Sequence, residues 1–523
     1  MWSAHRIVSN EPSDQSRIRI PNLAVKNNAG QEEILMTNGE KCLALFNSFY
    51  PSSGPLERMP DDFEYPPPKF KFKKITEAQV RRAIQHTKPF KAPGRNQIPN
   101  VVYKKCKDLL VPYLVAIYNA TFKYKVCPEE WQESITAALR KVGKGNYKVP
   151  NAYRPVELLD TPYKFCASIL AEDISMETKC LQLLPSNHFG CRLGRTTTDA
   201  LHLIISFVKN AWRRGDVVSA LFLDVKGAFP SVNIDRLVHN MRLRGIPREY
   251  TEWIRHKNGR KTRITFNNFV SQILNILDGL TQGCPLSAIC YLFYNAPILE
   301  IPTVKNGKLG VTWVDDVTLL ARGADAEVTN EKLSTIMEKE GGVLEWADTH
   351  SCMFAPDKFA VMTFDRRKEL VPGQQNKRRP ITHPPLLING REVERRQEYK
   401  LLGVILDREL HWKQQGAKAI AAGTNWVKNF RRLAKTTQGV GAKYIHRFYM
   451  SIALPRMMYD CSLFLGPGAP NAIGTGKKLA QTQRQAAILI TGAMRTTATD
   501  VLDAHAALLP FQLVIKNKVQ HGY

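Results

Sequence analysis

The stretch Val311-Thr312-Trp313-Val314-Asp315-Asp316-Val317-Thr318-Leu319-Leu320 decides how this chain is read, because apolar runs enter and leave two adjacent carboxylates. The pattern is that of a β-hairpin with a doubly charged tip. Two like charges on an apolar hairpin repel each other and resist desolvation, so a bound divalent cation is a natural counter-charge. Asp is also a favoured turn residue, and for the dipeptide alone an acidic turn is the simpler reading. A partner motif has to decide between them.

Two partners lie upstream. Ser219-Ala220-Leu221-Phe222-Leu223-Asp224-Val225 is a short apolar run ending in a carboxylate, the pattern of a buried strand that delivers Asp224 to a cleft. Gly279-Leu280-Thr281-Gln282-Gly283-Cys284-Pro285-Leu286-Ser287 is a turn opening an apolar helix, with Pro285 at the helix start and glycines that permit close backbone approach. Nucleotidyl transfer uses two divalent ions, one to activate the attacking oxygen and one to bind the triphosphate, and carboxylates from separate strands can bridge both. Asp224 and Asp315 suit that role. Asp316 serves either an outer shell or the hairpin itself.

The rest of the composition narrows the partners. With 74 Lys+Arg against 47 Asp+Glu the 523-residue chain carries a net charge of +27, which favours a polyanion such as nucleic acid. At 44% hydrophobic and 23% charged residues it reads as globular, with length for two or three domains. No stretch approaches the roughly 20 apolar residues that span a bilayer, so no membrane partner is expected. The ten cysteines show no C-x-x-C pair and no zinc-finger spacing, and are read as reduced thiols. The start, Met1-Trp2-Ser3-Ala4-His5-Arg6, lacks the apolar core of a signal peptide, which points to the nucleus or the cytoplasm.

Pro66-Pro67-Pro68 followed by Lys69-Phe70-Lys71-Phe72-Lys73-Lys74 reads as a linker and a basic segment, with a boundary near Tyr65. Thr76 with Gln79 fits a capping box, and Val80, Ala83 and Ile84 form the inward face of a helix that ends before Lys88-Pro89. From there to about Asn210 strands and helices alternate as one α/β layer system. Helical spacing returns at Leu237, Met241 and Leu243. Beyond Trp412 the chain reads as a separate basic helical domain, with Ile445, Phe448, Tyr449 and Ile452 on one side and Lys443, His446 and Arg447 among the rest.

Phe222-Leu223-Asp224-Val225-Lys226-Gly227-Ala228-Phe229, the Gly279 to Ser287 turn and Val314-Asp315-Asp316 together resemble the palm motifs of reverse transcriptases. Tyr153-Arg154-Pro155-Val156-Glu157-Leu158-Leu159, the run His188-Phe189-Gly190-Cys191-Arg192-Leu193-Gly194-Arg195-Thr196-Thr197-Thr198-Asp199-Ala200, and Tyr399-Lys400-Leu401-Leu402-Gly403-Val404 look like the extra motifs of non-LTR (LINE-type) retrotransposon enzymes. His350-Ser351, Lys358-Phe359 and Asp407-Arg408-Glu409-Leu410-His411-Trp412-Lys413 look most like fungal Tad-type elements. The resemblance implies an α/β (α+β) right-hand polymerase. Its parts would be an N-terminal extension over residues 1–65, fingers over 66–210, a palm of antiparallel sheet packed by helices over 211–412, and a helical thumb over 413–523. It also implies an RNA template, a DNA primer or target, dNTP substrates, and two Mg2+ ions with Mn2+ as a substitute.

Site roles carry over by position. Asp224, Asp315 and the Val225 carbonyl match the metal ligands, with Asp316 the second catalytic carboxylate. Arg154 matches an arginine that clamps the incoming triphosphate and Lys141 its lysine partner, since a polyanionic substrate needs fixed donors; a solvated surface cation accounts for Lys141 as well. Phe229 matches the aromatic that leaves no room for a 2′-hydroxyl and so favours dNTPs, although alone it reads as a core phenylalanine. Gln282 resembles a glutamine that contacts the nucleotide. Lys358 resembles a general acid for departing pyrophosphate, a role that a basic residue beside a duplex does not require. Trp313, Thr281 and Cys284 depart from the commoner residues, and none removes a metal ligand. An open-reading-frame fragment without endonuclease or ribonuclease H is the resulting expectation. The alternatives are a retroelement relic that binds nucleic acid without turnover and, third, an RNA-dependent RNA polymerase.

Overall fold

The computed structural model describes residues 19–26, 31–51, 63–257, 259–370, 377–434 and 439–520. The N-terminal residues read for a targeting signal, and the chain beyond residue 520, lie outside them. Two sheets organise the rest. The larger has seven strands, in the order Leu386–Ile388, Arg391–Arg395, Ala360–Phe364, Val217–Lys226, Asp316–Gly323 and Lys308–Trp313, with Met353–Phe354 paired to the end of Val217–Lys226. It is antiparallel except where Ala360–Phe364 meets Arg391–Arg395.

The continuous apolar run at 217–225 exists because this central strand is covered on both faces. Leu221, Leu223 and Val225 face a core built with the helices Thr161–Cys180, Ile234–Leu243, Pro285–Asn295 and Ala326–Glu338. Val218, Ala220 and Phe222 face a second core that includes Trp426, Phe430, Tyr449 and Leu479 of the C-terminal helices. That region is therefore not packed as a separate domain. Its apolar faces close over one side of the large sheet, and Tyr399 stacks on Phe222 with ring centroids 3.7 Å apart.

The second sheet pairs Tyr153–Leu158, Glu133–Arg140, Arg260–Phe266 and Phe269–Val270, with Leu274–Ile276 added to Arg260–Phe266. Residues 260–276, inside the span 211–412, join the strands of the preceding segment, with Arg260–Phe266 running parallel to Glu133–Arg140. The segment before residue 65, read as an extension and linker, has structure of its own. Thr37 and Glu40 form a capping box for the helix Asn38–Phe49, whose Cys42, Leu45 and Phe49 pack with Leu23, Ala138, Tyr153 and Ile264.

Elsewhere the local signals behave as their chemistry dictates. The Thr76–Gln79 capping box opens the helix Glu77–His86, with Val80, Ala83 and Ile84 buried. Leu237 and Met241 are buried on the helix Ile234–Leu243, but Leu243 is 44% exposed at its end. All ten cysteines are free. Among the described residues no helix is long and apolar enough to cross a membrane.

Candidate active site

The strand Val217–Lys226 and the hairpin strand Asp316–Gly323 place Asp224 directly opposite Asp316. Cross-strand partners share a face with Cβ atoms about 4.5–5.5 Å apart. That face is the one on which Phe222 and Leu320 pack under the C-terminal helices. Where this cover stops, the alternation that buried Phe222 delivers Asp224 to solvent. Asp315 precedes Asp316 in the two-residue turn joining Trp313 to Asp316.

Beside Asp224, the two carboxylates of the doublet resist ionisation. Burial first, and then Asp224, raise the pKa of Asp315. Burial, Asp315 and Asp224 push Asp316 up to about 6. A cation already answers part of this charge, since Lys358 Nζ donates to Asp224 Oδ2 at 2.5 Å. Lys358 follows Met353–Phe354, which pairs with Lys226 and Val225, and the Asp224 carbonyl accepts from the Ala355 N–H at 3.1 Å. Among the described residues, no three acidic, His or Cys side chains close tightly enough around one point to cage a metal by themselves. The donor set still fits a divalent cation, being carboxylate oxygens gathered at one hairpin tip, with Asp315 and Asp316 raised in pKa and Asp224 in contact with a lysine.

The basic wall comes from the smaller sheet. Arg154 pairs across the strands with Leu139, and the Lys141 N–H donates to the Ala152 carbonyl at 2.8 Å. Burial, then Lys144, Lys358 and Arg154, lower the pKa of Lys141, while Asp224 opposes the shift. Lys141 thus lies within electrostatic reach of Arg154, Lys358 and Asp224. Arg154 is exposed and Lys141 half-buried, which leaves both able to meet a polyanion.

Gln282 sits on a turn stapled to the Arg154 strand. Glu157, two residues beyond Pro155, donates its N–H to the Gln282 carbonyl at 3.1 Å, and its Oε1 accepts from the Gln282 N–H at 3.2 Å. Buried Arg260 grips the same carboxylate at 3.0 and 3.2 Å, and reaches Thr281 Oγ1 at 2.9 Å and the carbonyls of Asp278 and Gly279 at 3.0 and 2.8 Å. Thr281, a departure from the commoner residue, is thereby used as an acceptor. Gly279 stands at φ +93°, and a Cβ there would lie 2.3 Å from the Pro230 carbonyl oxygen. That approach lets the Leu280 N–H reach the Phe229 carbonyl at 2.7 Å. Phe229 is half-buried and stacks on fully buried Tyr291, centroids 5.0 Å apart, so its ring is a fixed wall beside the Asp224 strand.

The two strands thus bring Asp224 and Asp316 together beside Asp315, with Lys358 on Asp224; Val225 lies in the ladder beside Phe354, Phe229 packs on Tyr291, and Gln282 is fixed to the strand that carries Arg154. Sequence reading assigned no role to Arg260, to the Glu157 carboxylate, or to His188 and Asn295 behind the hairpin. Glu157 and His188 lie inside quoted motifs, whereas Arg260 stands in the basic run Arg260-Lys261-Thr262-Arg263 with no signal to single it out.

A family model described as reverse transcriptase (RNA-dependent DNA polymerase) matches residues 140–406, which spans the cleft described above. Among curated proteins, the chain is 25% identical over 426 residues to "Probable RNA-directed DNA polymerase from transposon X-element" of Drosophila melanogaster, covering 79% of this chain and 44% of that protein. It is 24% identical over 400 residues to "RNA-directed DNA polymerase from mobile element jockey" of Drosophila funebris, covering 75% and 41%. It is 22% identical over 431 residues to "Retrovirus-related Pol polyprotein from type-1 retrotransposable element R1" of Bradysia coprophila, covering 80% and 40%. The chain spans less than half the length of these relatives.

Proposed function

The chain belongs to the reverse transcriptase (RNA-dependent DNA polymerase) family, and from that premise we propose that it extends a primer 3′-hydroxyl with dNTPs on an RNA template, as part of a non-LTR retrotransposon. The observation that carries this reading is the Asp224–Asp316 register beside Asp315, with Lys141 in electrostatic reach of Asp224. Two Mg2+ ions, with Mn2+ as a substitute, would be held by Asp224, Asp315 and the Val225 carbonyl, and would supply activation of the 3′-oxygen and charge neutralisation on the triphosphate. Arg154 and Lys141 would grip the phosphates, Gln282 would meet the nucleotide, and Phe229 would exclude the 2′-hydroxyl. Lys358 leaves Asp224 in this scheme and donates its proton to the departing pyrophosphate.

The net charge of +27 supports backbone-tracking nucleic-acid contacts, which weaken steeply with salt. The division into fingers over 66–210, palm over 211–412 and thumb over 413–523 is part of the same proposal, with the smaller sheet bridging the first two. The Tad-type assignment rests on the segments at 350–351, 358–359 and 407–413.

The test is primer extension on poly(rA)/oligo(dT) with dTTP and Mg2+. Wild type incorporates dTTP, and Asp224→Asn and Asp315→Ala each lose about 10³-fold or more, the several kcal/mol that metal-borne charge stabilisation supplies. Absence of incorporation by folded wild type overturns the reading and leaves a nucleic-acid-binding relic in its place.

A further inference from the structure

The turn that carries Asp315 is held in a conformation its own sequence disfavours. Val314 stands at φ +58°, in the left-handed region that β-branched side chains avoid. Such a residue is strained and persists only where its surroundings over-determine it. Here they do. Gly190 lies so close that a Cβ on it would come within 2.5 Å of the Val314 nitrogen and 2.6 Å of its Cγ2. The backbone of 187–189 runs along the hairpin, with the Phe189 N–H donating to the Thr312 carbonyl at 3.0 Å and Asn187 Nδ2 to the Gly310 carbonyl at 2.7 Å. Asn295 Nδ2 donates to the Val314 carbonyl itself at 2.6 Å.

Asn295 is held in turn. Its Oδ1 lies 2.8 Å from His188 Nε2, and both side chains are buried. The proton positions follow from the chemistry, because a carbonyl oxygen only accepts. Asn295 must present its NH2 to Val314, its Oδ1 therefore faces His188, and Nε2 must carry the hydrogen. Nδ1 is buried and bonds to no protein group, so Nε2 is the ring atom that ties His188 to Asn295. Asn295 is also the last residue of the helix Pro285–Asn295, which begins at the Gln282 turn. One rigid rod of about 16 Å thus has the nucleotide turn at one end and the carboxylate hairpin at the other.

We infer that Asn295 and His188 are positioning residues for nucleotidyl transfer: together they fix the Val314 carbonyl and so aim the Asp315 carboxylate at the metal position it shares with Asp224. The inference rests on the polymerase reading of the site. Neither residue touches substrate, so the loss on removing them falls on metal binding and turnover and spares nucleotide affinity.

The variants Asn295→Leu, His188→Leu and His188→Gln separate aiming from packing, since Gln can present an N–H where Nε2 stood. Three readouts apply: kcat and KM for dTTP in primer extension, Mn2+ affinity of the protein by electron paramagnetic resonance, and the thermal midpoint. Asn295→Leu and His188→Leu lower kcat and weaken Mn2+ binding by about 10–100-fold, with KM for dTTP within about twofold, and His188→Gln recovers most of the loss. Folded Asn295→Leu with wild-type kcat and Mn2+ affinity overturns the inference. Should Asn295→Leu fail to fold, the two His188 variants decide it, and an equal loss in both overturns it as mere packing. Wild type without extension activity but with Mn2+ affinity sinks the polymerase reading alone, and the Mn2+ ratio still decides the aiming role. Wild type that binds no Mn2+ overturns both.

Discussion

Replacing Arg260 by Met tests whether the Gln282 turn is held by one buried ion pair. The Arg260 and Glu157 side chains are 5% and 1% exposed, and the guanidinium makes two contacts to the carboxylate, one to Thr281 and two to backbone carbonyls. Removing it strands the Glu157 carboxylate with neutral partners, among them the Gln282 N–H at 3.2 Å and Ser134 Oγ at 3.5 Å. Breaking a buried pair by deleting one partner costs about 3–5 kcal/mol. At ~2–4 °C per kcal/mol for a unit of this size, Arg260→Met lowers the thermal midpoint by roughly 10 °C. Arg248→Met is the control: Arg248 is exposed, its 3.8 Å contact to Glu252 is long, and Glu252 keeps Arg255 at 3.2 Å, so its loss moves the midpoint by no more than about 2 °C. Because both ends of Glu157 hold Gln282, Arg260→Met also raises KM for dTTP about tenfold at unchanged affinity for template and primer. The double variant Glu157→Met/Arg260→Met recovers midpoint relative to either single variant, since two apolar side chains leave no stranded charge, and it does not recover KM. Differential scanning fluorimetry and steady-state primer extension read both quantities. An Arg260→Met protein within about 3 °C of wild type, with wild-type KM, refutes the staple.

Much of the site was legible because its signals are local. The apolar run ending at Asp224, the doublet after Val314 and the Pro285 helix start each occupy fewer than ten residues, and their periods or turn chemistry survive in the linear sequence. What stayed illegible depends on pairing between distant segments. Arg260 matters through Glu157, 103 residues away, and among neighbouring Lys and Arg nothing distinguishes the one that grips that carboxylate. Val314 is an unremarkable strand residue until Gly190 and Asn295 close on it, because propensity describes where a valine prefers to lie and not where tertiary contacts force it. The C-terminal helices read as their own domain for a related reason: Trp426 and Phe430 make a good helical stripe, and no stripe says whether its cover is another helix or the far face of a sheet. The strand Arg260–Phe266 was grouped with its sequence neighbours, whereas a parallel ladder to Glu133–Arg140 leaves no mark on either partner's spacing.

Three further outcomes follow from the cleft. On the role proposed for Phe229, Phe229→Ala removes the ring stacked on Tyr291 and lowers discrimination against ribonucleotides by about tenfold or more in single-nucleotide incorporation; unchanged discrimination removes Phe229 from that role. Lys358→Ala takes a competing cation from Asp224 and lowers the Mg2+ concentration for half-maximal rate, yet drops kcat by about 10²-fold if the ammonium protonates pyrophosphate; wild-type kcat would discard the acid role. The third outcome concerns pH. Asp316, with a folded-state pKa of about 6, lies above the ordinary carboxylate value near 4, so the folded protein binds the proton more tightly than the unfolded chain. Stability without metal therefore falls as pH rises from about 4 through about 6, and the penalty is fully present above that window. A divalent cation takes the ionised form, so saturating Mg2+ offsets the penalty where it is largest and binds more weakly as pH drops below about 6. Asp316→Asn cannot titrate, and subtracting its thermal midpoint from that of wild type at each pH cancels the other groups. The difference should turn against wild type as pH climbs from 4 to 7 without metal and flatten with Mg2+; a difference independent of pH in both conditions would show that the doublet's charge is not what the cleft has to neutralise.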